Sequence, residues 1–280
     1  MTKLGVALGG GGIAGCAHLG VLQALEDNGI EIHCLAGTSS GALVAALYAY
    51  GYTIRELIEL VPTLTKEYLD YDYKALLDKL WRRGVKIQGF IKGQRLHQLV
   101  SAKTRHASMR DLKLPVAILS ADLKQARKVI FASRPLARPC QDADLITDIQ
   151  VADAVLSSCS IPVLFKPVYY QDRVLVDGGI LDNCPISALH ALGADKVIAI
   201  DLVSADPVDV PFDSCLSILS RVVSINLATQ SKELSRVADL VLQPEARRVG
   251  VFDFSKANYC IETGYECTEK RIEEILQLLH

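Results

Sequence analysis

Ser39 lies at the centre of the pentapeptide Gly37-Thr38-Ser39-Ser40-Gly41, the feature of this chain that carries the most recognisable chemistry. The apolar run at 32–36 before it predicts a short buried strand, and the small-residue stretch at 42–48 after it predicts a helix. A strand that turns sharply into a helix between two glycines presents the central serine on a strained bend, the nucleophile elbow. Gly37 and Gly41 suit such a turn because backbone approaches backbone and a Cβ resists the required angles. The positive end of the helix would favour the alkoxide, so the pattern predicts Ser39 as a nucleophile.

A glycine loop supports this prediction, since a Gly-x-Ser-x-Gly match by itself also describes an ordinary turn. Gly9 to Gly12 follow a predicted strand at 3–8, and Gly15 begins the predicted helix at 15–27. Consecutive glycines at a helix N-terminus leave backbone N–H groups uncovered, which makes a cradle for an anion. In acyl transfer such a cradle is the oxyanion hole, and its predicted donors are the amides of Gly10, Gly11 and Gly12.

The same loop has a second interpretation. Gly10, Gly12 and Gly15 also fit the G-x-G-x-x-G fingerprint of dinucleotide-binding proteins, in the right strand–loop–helix context. That fingerprint requires an acidic residue at the end of the second strand, whereas Glu31 lies at its beginning. Nucleotide binding is therefore the less favoured alternative.

Asp177-Gly178-Gly179 follows the short apolar strand at 173–176 and supplies a carboxylate. An isolated Asp-Gly-Gly is usually a turn cap. A catalytic role for Asp177 is more strongly indicated here because no histidine is well placed to activate Ser39. His190 has the right order for a triad but falls inside the predicted helix at 185–192.

These three motifs resemble, in order and spacing, the pattern of patatin-like phospholipases of the bacterial, single-domain type. The stretches at 154–162, 177–185, 192–201 and 253–265 resemble the family as well, so the likeness covers nearly the whole chain. The resemblance implies one patatin-like domain over 1–280, a three-layer α/β/α fold with a mostly parallel sheet, and a Ser39–Asp177 dyad. It further implies hydrolysis of lipid esters or phospholipids, of phospholipase A, lysophospholipase or esterase type, without a metal or cofactor. Ala14 departs from the pattern, because many bacterial members carry a basic residue there, and this keeps open a slow or non-catalytic regulator on the same fold.

The elements that must position these motifs follow from the apolar periodicity. Strands are predicted near 3–8, 32–36, 115–121, 128–132, 174–176, 196–202 and 239–243, and helices near 15–27, 40–50, 185–192 and 264–279. This alternation predicts helices on both faces of a sheet. Each motif follows a predicted strand, so the three are expected at one edge of the sheet.

The segment 64–110 fits this alternation least well and is a candidate cap region. Apolar side chains at helical spacing form one face of a predicted helix, namely Tyr73, Leu76, Leu77, Leu80 and Trp81. Lys74, Lys79, Arg82 and Arg83 fall on the other side. Such a stripe is typical of a helix packed on the core, and it also fits a cap that touches lipid at a membrane surface.

Composition limits the remaining classes. The chain has 280 residues, is 50% hydrophobic and carries a net charge of −2, which supports an α/β protein with a large core and gives no pull towards nucleic acid. Its eight cysteines lack metal-binding spacing and are expected as free thiols, Cys184 among them as a packing residue. No apolar run reaches the length of a membrane span. The expected location is cytoplasmic or peripheral at a membrane, because four glycines are a poor core for a signal peptide.

Overall fold

The computed structural model of the protein describes residues 2–63, 70–72, 88–140, 142–203, 213 and 215–280. Its strands are β1 (Leu4–Leu8), β2 (Cys34–Thr38), β3 (Gly89–Ile91), β4 (Val116–Asp122), β5 (Arg127–Ala132), β6 (Ala143–Ile146), β7 (Val163–Phe165), β8 (Val168–Tyr170), β9 (Arg173–Asp177), β10 (Lys196–Ile200) and β11 (Leu240–Leu242). Its α-helices are α1 (Ala17–Asp27), α2 (Ser40–Tyr50), α3 (Ile54–Leu60), α4 (Gln94–Lys103), α5 (Val151–Ser158), α6 (Ile186–Leu192), α7 (Cys215–Val237), α8 (Ala257–Glu269) and α9 (Ile272–Leu279). Within these ranges no helix is both long and apolar enough to cross a membrane.

The main sheet has the order β11-β10-β1-β2-β4-β5-β6. Its first five strands are parallel, β5 is antiparallel to β4, and β6 is parallel to β5. β9 also pairs with β4, and β8 pairs with β9, both antiparallel, while β3 and β7 form a separate small sheet. The predicted mostly parallel central sheet is confirmed.

Helices cover both faces of this sheet because its central strands are apolar on both sides. Leu4, Val6 and Leu8 of β1 point into one core, which also holds residues of α1, α2, α5 and α8. Ala7 of the same strand points into a second core, where the sheet packs against α6. The protein therefore has the three-layer α/β/α architecture that the alternation predicts.

Most of the predicted elements are present. Seven predicted strands and the helices at 40–50 and 185–192 are confirmed within a few residues, and the helix at 15–27 begins as a short 3-10 turn at Gly12–Cys16. The helix predicted at 264–279 is two helices, α8 and α9, and starts earlier, at Ala257. The candidate cap region contributes β3 and α4 to the described residues. The predicted helix with the Tyr73–Trp81 stripe lies outside them.

The register on β4 brings two distant strand ends together. β4 pairs with β2 as far as Leu119, which lies opposite Thr38. From Ser120 onward β9 takes the place of β2, with Asp177 opposite Ser120. Because β5 occupies the other edge of β4, the carboxyl ends of β2 and β9 abut on the same edge. The Ser39 and Asp177 motifs therefore lie together at the carboxyl end of β2, as expected, although β9 arrives there antiparallel.

Candidate active site

Ser39 occupies a strained bend between β2 and α2. Its φ of 55° and ψ of −123° lie in a region that L-residues rarely adopt. A Cβ on Gly37 would come within 2.5 Å of the Gly41 carbonyl carbon, and a Cβ on Gly41 would overlap the Leu8 carbonyl. The predicted close approach is therefore confirmed. The predicted need for special glycine angles is wrong at these two positions, because the positive φ falls on Ser39 itself.

Asp177 ends β9 with its carboxylate turned towards Ser39. Its Oδ1 accepts the Gly179 N–H at 2.8 Å, and the Ser39 side chain is close enough to the carboxylate to favour its ionised form. The residue is only 6% exposed, and burial raises the pKa of the carboxyl to about 6, against the opposing effect of the Gly179 and Ser39 donors. At neutral pH such a group is ionised, and it is a stronger base than an ordinary aspartate.

The glycine loop lies directly beside Ser39, since a Cβ on Gly10 would come within 3.0 Å of the Ser39 Cβ. Its amides are not all uncovered. The Gly10 N–H donates to Asn183 Oδ1 at 3.2 Å, and the Gly11 N–H donates to Ser40 Oγ at 3.1 Å. The expectation of uncovered amides is wrong for these two glycines, because Asn183 and Ser40 each supply an acceptor from within the protein. The role of Gly10, Gly11 and Gly12 with a bound substrate stays a prediction.

Gly12 and Gly15 mark where the loop meets its neighbours. Gly12 has a φ of 61°, and a Cβ there would come within 2.5 Å of the Val251 carbonyl oxygen. The next amide, of Ile13, donates to that same oxygen at 3.0 Å. A Cβ on Gly15 would overlap the Ser40 side chain. The loop is thus closed on one side by the segment after residue 249 and on the other by the elbow.

Two cavities meet at Ser39. The first, of about 180 Å³, runs between α2, α3 and the glycine loop, and apolar side chains form most of its walls: Ile13, Cys16, Leu19, Leu43, Val44, Leu47, Leu57, Leu60, Val61, Leu96, Cys159, Ile161, Phe165, Val251, Phe252 and Phe254. The second, of about 490 Å³, holds Asp177 and the glycine loop at its base and is walled by Ile161, Pro162, Leu164, Ile180, Ser217, Leu219, Val223, Ser224, Leu227, Val251 and Phe252. We call them the α2 cavity and the α7 cavity. Among the described lining residues, Asp177 is the only charged one.

No histidine lines either cavity in the part of the chain that the structure describes. His190 borders a separate cavity and is close to the Ala194 carbonyl. His18 is fully buried, with Nε2 at 2.7 Å from the Gly9 carbonyl oxygen, and burial lowers its pKa to about 4. Both positions agree with the prediction that no histidine activates Ser39.

The remaining predicted residues take structural positions. Gly178 and Gly179 form a short 3-10 turn after Asp177. Cys184 is a buried thiol that donates to the Ile200 carbonyl, and burial raises its pKa well above the usual value, in line with a packing role. Cys184 is also one of seven described free cysteines, the others being Cys16, Cys34, Cys140, Cys159, Cys260 and Cys267. Glu31 is exposed and precedes β2, so the dinucleotide alternative still lacks its acidic residue.

Asn183, Ser158 and Cys159 contact this site, and motif reasoning from the sequence gave none of them a role. Asn183 bonds both polar backbone groups of Gly10, which is 173 residues away. Ser158 and Cys159 bond Ser39 from 119 and 120 residues away. No local pattern reports such contacts, although the resemblance to the family includes the stretches in which all three lie.

A strained serine at a strand end, next to a buried aspartate in an α/β/α sandwich, defines the class of α/β proteins that carry a nucleophile elbow. Within that class, the family model for patatin-like phospholipases matches residues 6–190. The chain belongs to the patatin-like phospholipase family.

Curated relatives agree with this assignment. An uncharacterised NTE family protein of Mycobacterium tuberculosis is 28% identical over 94% of this chain and 45% of its own length. Lysophospholipase NTE1 of Mycosarcoma maydis is 30% identical over 73% of this chain and 10% of its own length. The chain therefore spans less than half the length of these relatives.

Solved structures share the fold at low sequence identity. VipD from Legionella pneumophila superimposes with a TM-score of 0.60 at 14% identity, covering 98% of this chain and 67% of that one. Human GIVD cytosolic phospholipase A2 gives 0.52 at 10% identity, covering 99% and 60%. The expected patatin-like fold is confirmed.

Proposed function

We propose that this protein is a lipid acyl hydrolase in which Ser39 attacks the ester carbonyl and Asp177 accepts the serine proton. The observation that carries the proposal is the junction of β2 and β9. There a strained serine and a buried carboxylate lie within reach of each other, at the base of two apolar cavities. Membership of the patatin-like phospholipase family supports the same chemistry.

The reaction proceeds in two halves. Ser39 Oγ forms a bond to the carbonyl carbon while its proton passes to the Asp177 carboxylate, and the carbonyl oxygen becomes an oxyanion. The predicted donors to that oxygen are the amides of Gly10, Gly11 and Gly12. The tetrahedral intermediate collapses, the alcohol leaves with the proton from Asp177, and Ser39 remains acylated. Water then attacks the acyl-enzyme with Asp177 again as the base, which releases the fatty acid and restores the serine.

Gly12 has the most direct claim among these donors. The Gly10 and Gly11 amides already donate to Asn183 and Ser40, so each would have to share its hydrogen or release its acceptor when substrate binds. Gly12 lines both cavities. It is also the first residue of the 3-10 turn at Gly12–Cys16, where the first N–H groups have no partner within the turn.

The walls of the two cavities support a lipid ester as the substrate class. An acyl chain fits the α2 cavity, because its walls are aliphatic and aromatic side chains that gain free energy from burying methylene groups. The α7 cavity then receives the alcohol part of the ester, and its apolar walls suit a second chain or a glycerol backbone more than a bare charged group. Among similar proteins, one is named a lysophospholipase and one a cytosolic phospholipase A2, which supports lipid esters as the substrate class. Peripheral contact with a membrane through the 73–83 segment is part of this proposal.

A labelling experiment tests the proposal. A fluorophosphonate should modify wild-type protein at Ser39, as identified by peptide mass spectrometry, and Ser39→Ala should lose both labelling and hydrolysis of p-nitrophenyl butyrate. Ser187→Ala, at an exposed position on α6, should behave like wild type. Wild-type protein that neither labels nor hydrolyses the ester would instead favour the second candidate, a non-catalytic regulator on the same fold. Ala14, in place of the basic residue that many bacterial members carry, and the occupied amides of Gly10 and Gly11 are the observations behind that candidate.

A further inference from the structure

Three consecutive residues at the carboxyl end of α5 bond to both members of the Ser39–Asp177 pair. Ser158 Oγ accepts the Ser39 N–H at 2.9 Å and donates to the Leu119 carbonyl of β4 at 2.6 Å. The Cys159 thiol donates to the Ser39 carbonyl at 3.2 Å. The Ser160 carbonyl accepts the Asp177 N–H at 2.9 Å. One short segment thus touches the elbow and the end of β9 through separate bonds.

The Ser158 bond matters most because of the conformation that it holds. The positive φ of Ser39 is unfavourable for a residue with a Cβ, and it persists only where the surrounding structure over-determines it. Ser39 is 7% exposed and Ser158 is fully buried, so water does not compete for this N–H. Ser158 is the acceptor that the described residues provide for the Ser39 N–H, whereas the Ser39 carbonyl also receives the helix amides of Ala42 and Leu43.

We infer that Ser158 is a positioning residue, which holds the backbone of the nucleophile in its strained conformation and thereby keeps Ser39 Oγ within reach of Asp177. The inference rests on the proposed function of Ser39. The hydroxyl acts as a bridge between the elbow and β4, the strand on whose edge β2 and β9 abut. Ser158 itself touches neither the substrate cavities nor the Asp177 carboxylate among the described contacts.

Without the hydroxyl, the Ser39 N–H is buried without its acceptor, and a buried donor that makes no hydrogen bond carries the full cost of its desolvation. The elbow can recover part of that cost only by rotating towards an ordinary backbone conformation. Such a rotation moves Oγ, and a displacement of about 1 Å at a reacting atom lowers the rate by roughly 100-fold. The expected defect is therefore in kcat and not in substrate binding, because the walls of both cavities stay in place.

Ser157 offers a matched control. It precedes Ser158 on the same helix, is equally buried, and its hydroxyl bonds Ser120 of β4 at 2.9 Å and the Ala154 carbonyl at 2.9 Å. It makes no contact with Ser39 among these bonds. Ser157→Ala and Ser158→Ala therefore each remove one buried hydroxyl between α5 and β4, and only the second removes a contact to the nucleophile.

The test compares the two variants in kinetics and in structure. Ser158→Ala should lower kcat for p-nitrophenyl butyrate by about 10- to 100-fold with KM within about twofold of wild type, and should slow fluorophosphonate labelling in proportion. Ser157→Ala and Ser158→Ala should lower the thermal midpoint of unfolding by similar amounts, because each removes one buried hydroxyl. Ser157→Ala should keep kcat within about threefold of wild type. Equal kcat losses in the two variants, or a kcat of folded Ser158→Ala within about twofold of wild type, would overturn the inference.

Crystal structures of both variants separate this inference from the proposed function. Ser39 should keep its positive φ in Ser157→Ala and leave it in Ser158→Ala. If wild-type protein fails to hydrolyse or label, the proposed function fails, yet the backbone of Ser39 still reports whether Ser158 positions it. A positive φ retained in Ser158→Ala refutes the positioning role whatever the kinetics show.

Discussion

The base of the site and the walls of its two cavities are held by different forces. At the base, Ser39, Asp177 and the glycine loop are fixed by directional hydrogen bonds of 2.6–3.3 Å and by glycines that admit no side chain. The walls are apolar side chains from α2, α3, α7 and the segment after residue 249, held by packing. Substitutions at the base should therefore stop the reaction, while substitutions in the walls should change which ester reacts.

The base and the walls also differ in how much of each lies within the residues that the family model matches. The whole base, from Gly10 to Asn183, lies within the matched residues 6–190. Much of the α7 cavity wall and the Val251–Phe252 contact lie beyond residue 190. Under the proposed function, the chemistry would depend on the part of the chain that the family model matches, and part of the substrate choice would depend on elements outside that part.

Asp177→Asn should have the largest effect at the base. The amide cannot accept the serine proton, and members of a catalytic unit fail together, so turnover should fall by about 10³-fold or more. Asp182→Asn should be mild, because Asp182 pairs with Lys128 at 2.7 Å and lies outside both cavities. Steady-state hydrolysis of p-nitrophenyl butyrate measures both. A loss at His190→Ala as large as that at Asp177→Asn would replace the dyad with a triad.

Gly12→Ala should come next, with kcat lowered about 100-fold and KM little changed, since an oxyanion contact strengthens in the transition state. The new Cβ would press on the Val251 carbonyl and shift the amide. Gly29→Ala is the matched control, because Gly29 has a similar φ of 68° with no atom within 4 Å of the added Cβ. Both variants place an alanine at an unfavourable positive φ, and only Gly12→Ala should lose turnover. Equal kinetics in the two would remove Gly12 from the oxyanion hole.

The pH dependence should follow Asp177, whose carboxyl pKa is raised to about 6 by burial. The base must be ionised, so kcat/KM should fall about tenfold per pH unit below 6. The free energy of unfolding should change in the opposite sense and be larger at low pH. Because the pKa of the folded protein exceeds the unfolded value of about 3.9, the folded state holds this proton more tightly, and that advantage is lost as pH rises through 6.

Asp177→Asn measures how much the buried, ionised carboxylate destabilises the folded protein. Above pH 6 the variant should be more stable than wild type, by at most about 3 kcal/mol, because it removes a buried charge. The difference should shrink below pH 6 and vanish near pH 4. Thermal denaturation at pH 8 and pH 4 checks both points. A variant less stable than wild type at pH 8 would contradict the raised pKa.

A matched pair of wall substitutions should have the smallest effects and sharpen the assignment of the cavities. Val44 lies on α2 in the α2 cavity, and Val223 lies on α7 in the α7 cavity. Val44→Phe should lower kcat/KM for p-nitrophenyl palmitate about tenfold and leave the butyrate nearly unchanged, because it shortens the room for the acyl chain. Val223→Phe should leave this acyl preference as it is and disfavour esters of bulky alcohols. The opposite result would exchange the roles of the two cavities.

The sequence by itself determined the parts of this protein that depend on local chemistry. Gly37, Gly41 and the glycine loop are needed wherever a strand turns this sharply, and Asp177 with its two glycines ends a strand, so each motif was predictable from its own neighbours. The apolar runs predicted the central strands for the same reason. The short strands β3, β6, β7 and β8 and the helices α3 and α7 were missed, because their half-exposed or short patterns resemble loops until they pack.

Only the tertiary structure decided how these parts act on one another. The antiparallel approach of β9 and its register on β4 place Asp177 beside Ser39, and residue spacing carries no record of either. The internal acceptors of Gly10 and Gly11, and the bonds from Ser158 and Cys159 to Ser39, join residues 29 to 173 positions apart. The burial that raises the pKa of Asp177 depends on packing from several elements at once. Such contacts arise from the folded arrangement as a whole, and a local sequence pattern does not specify them.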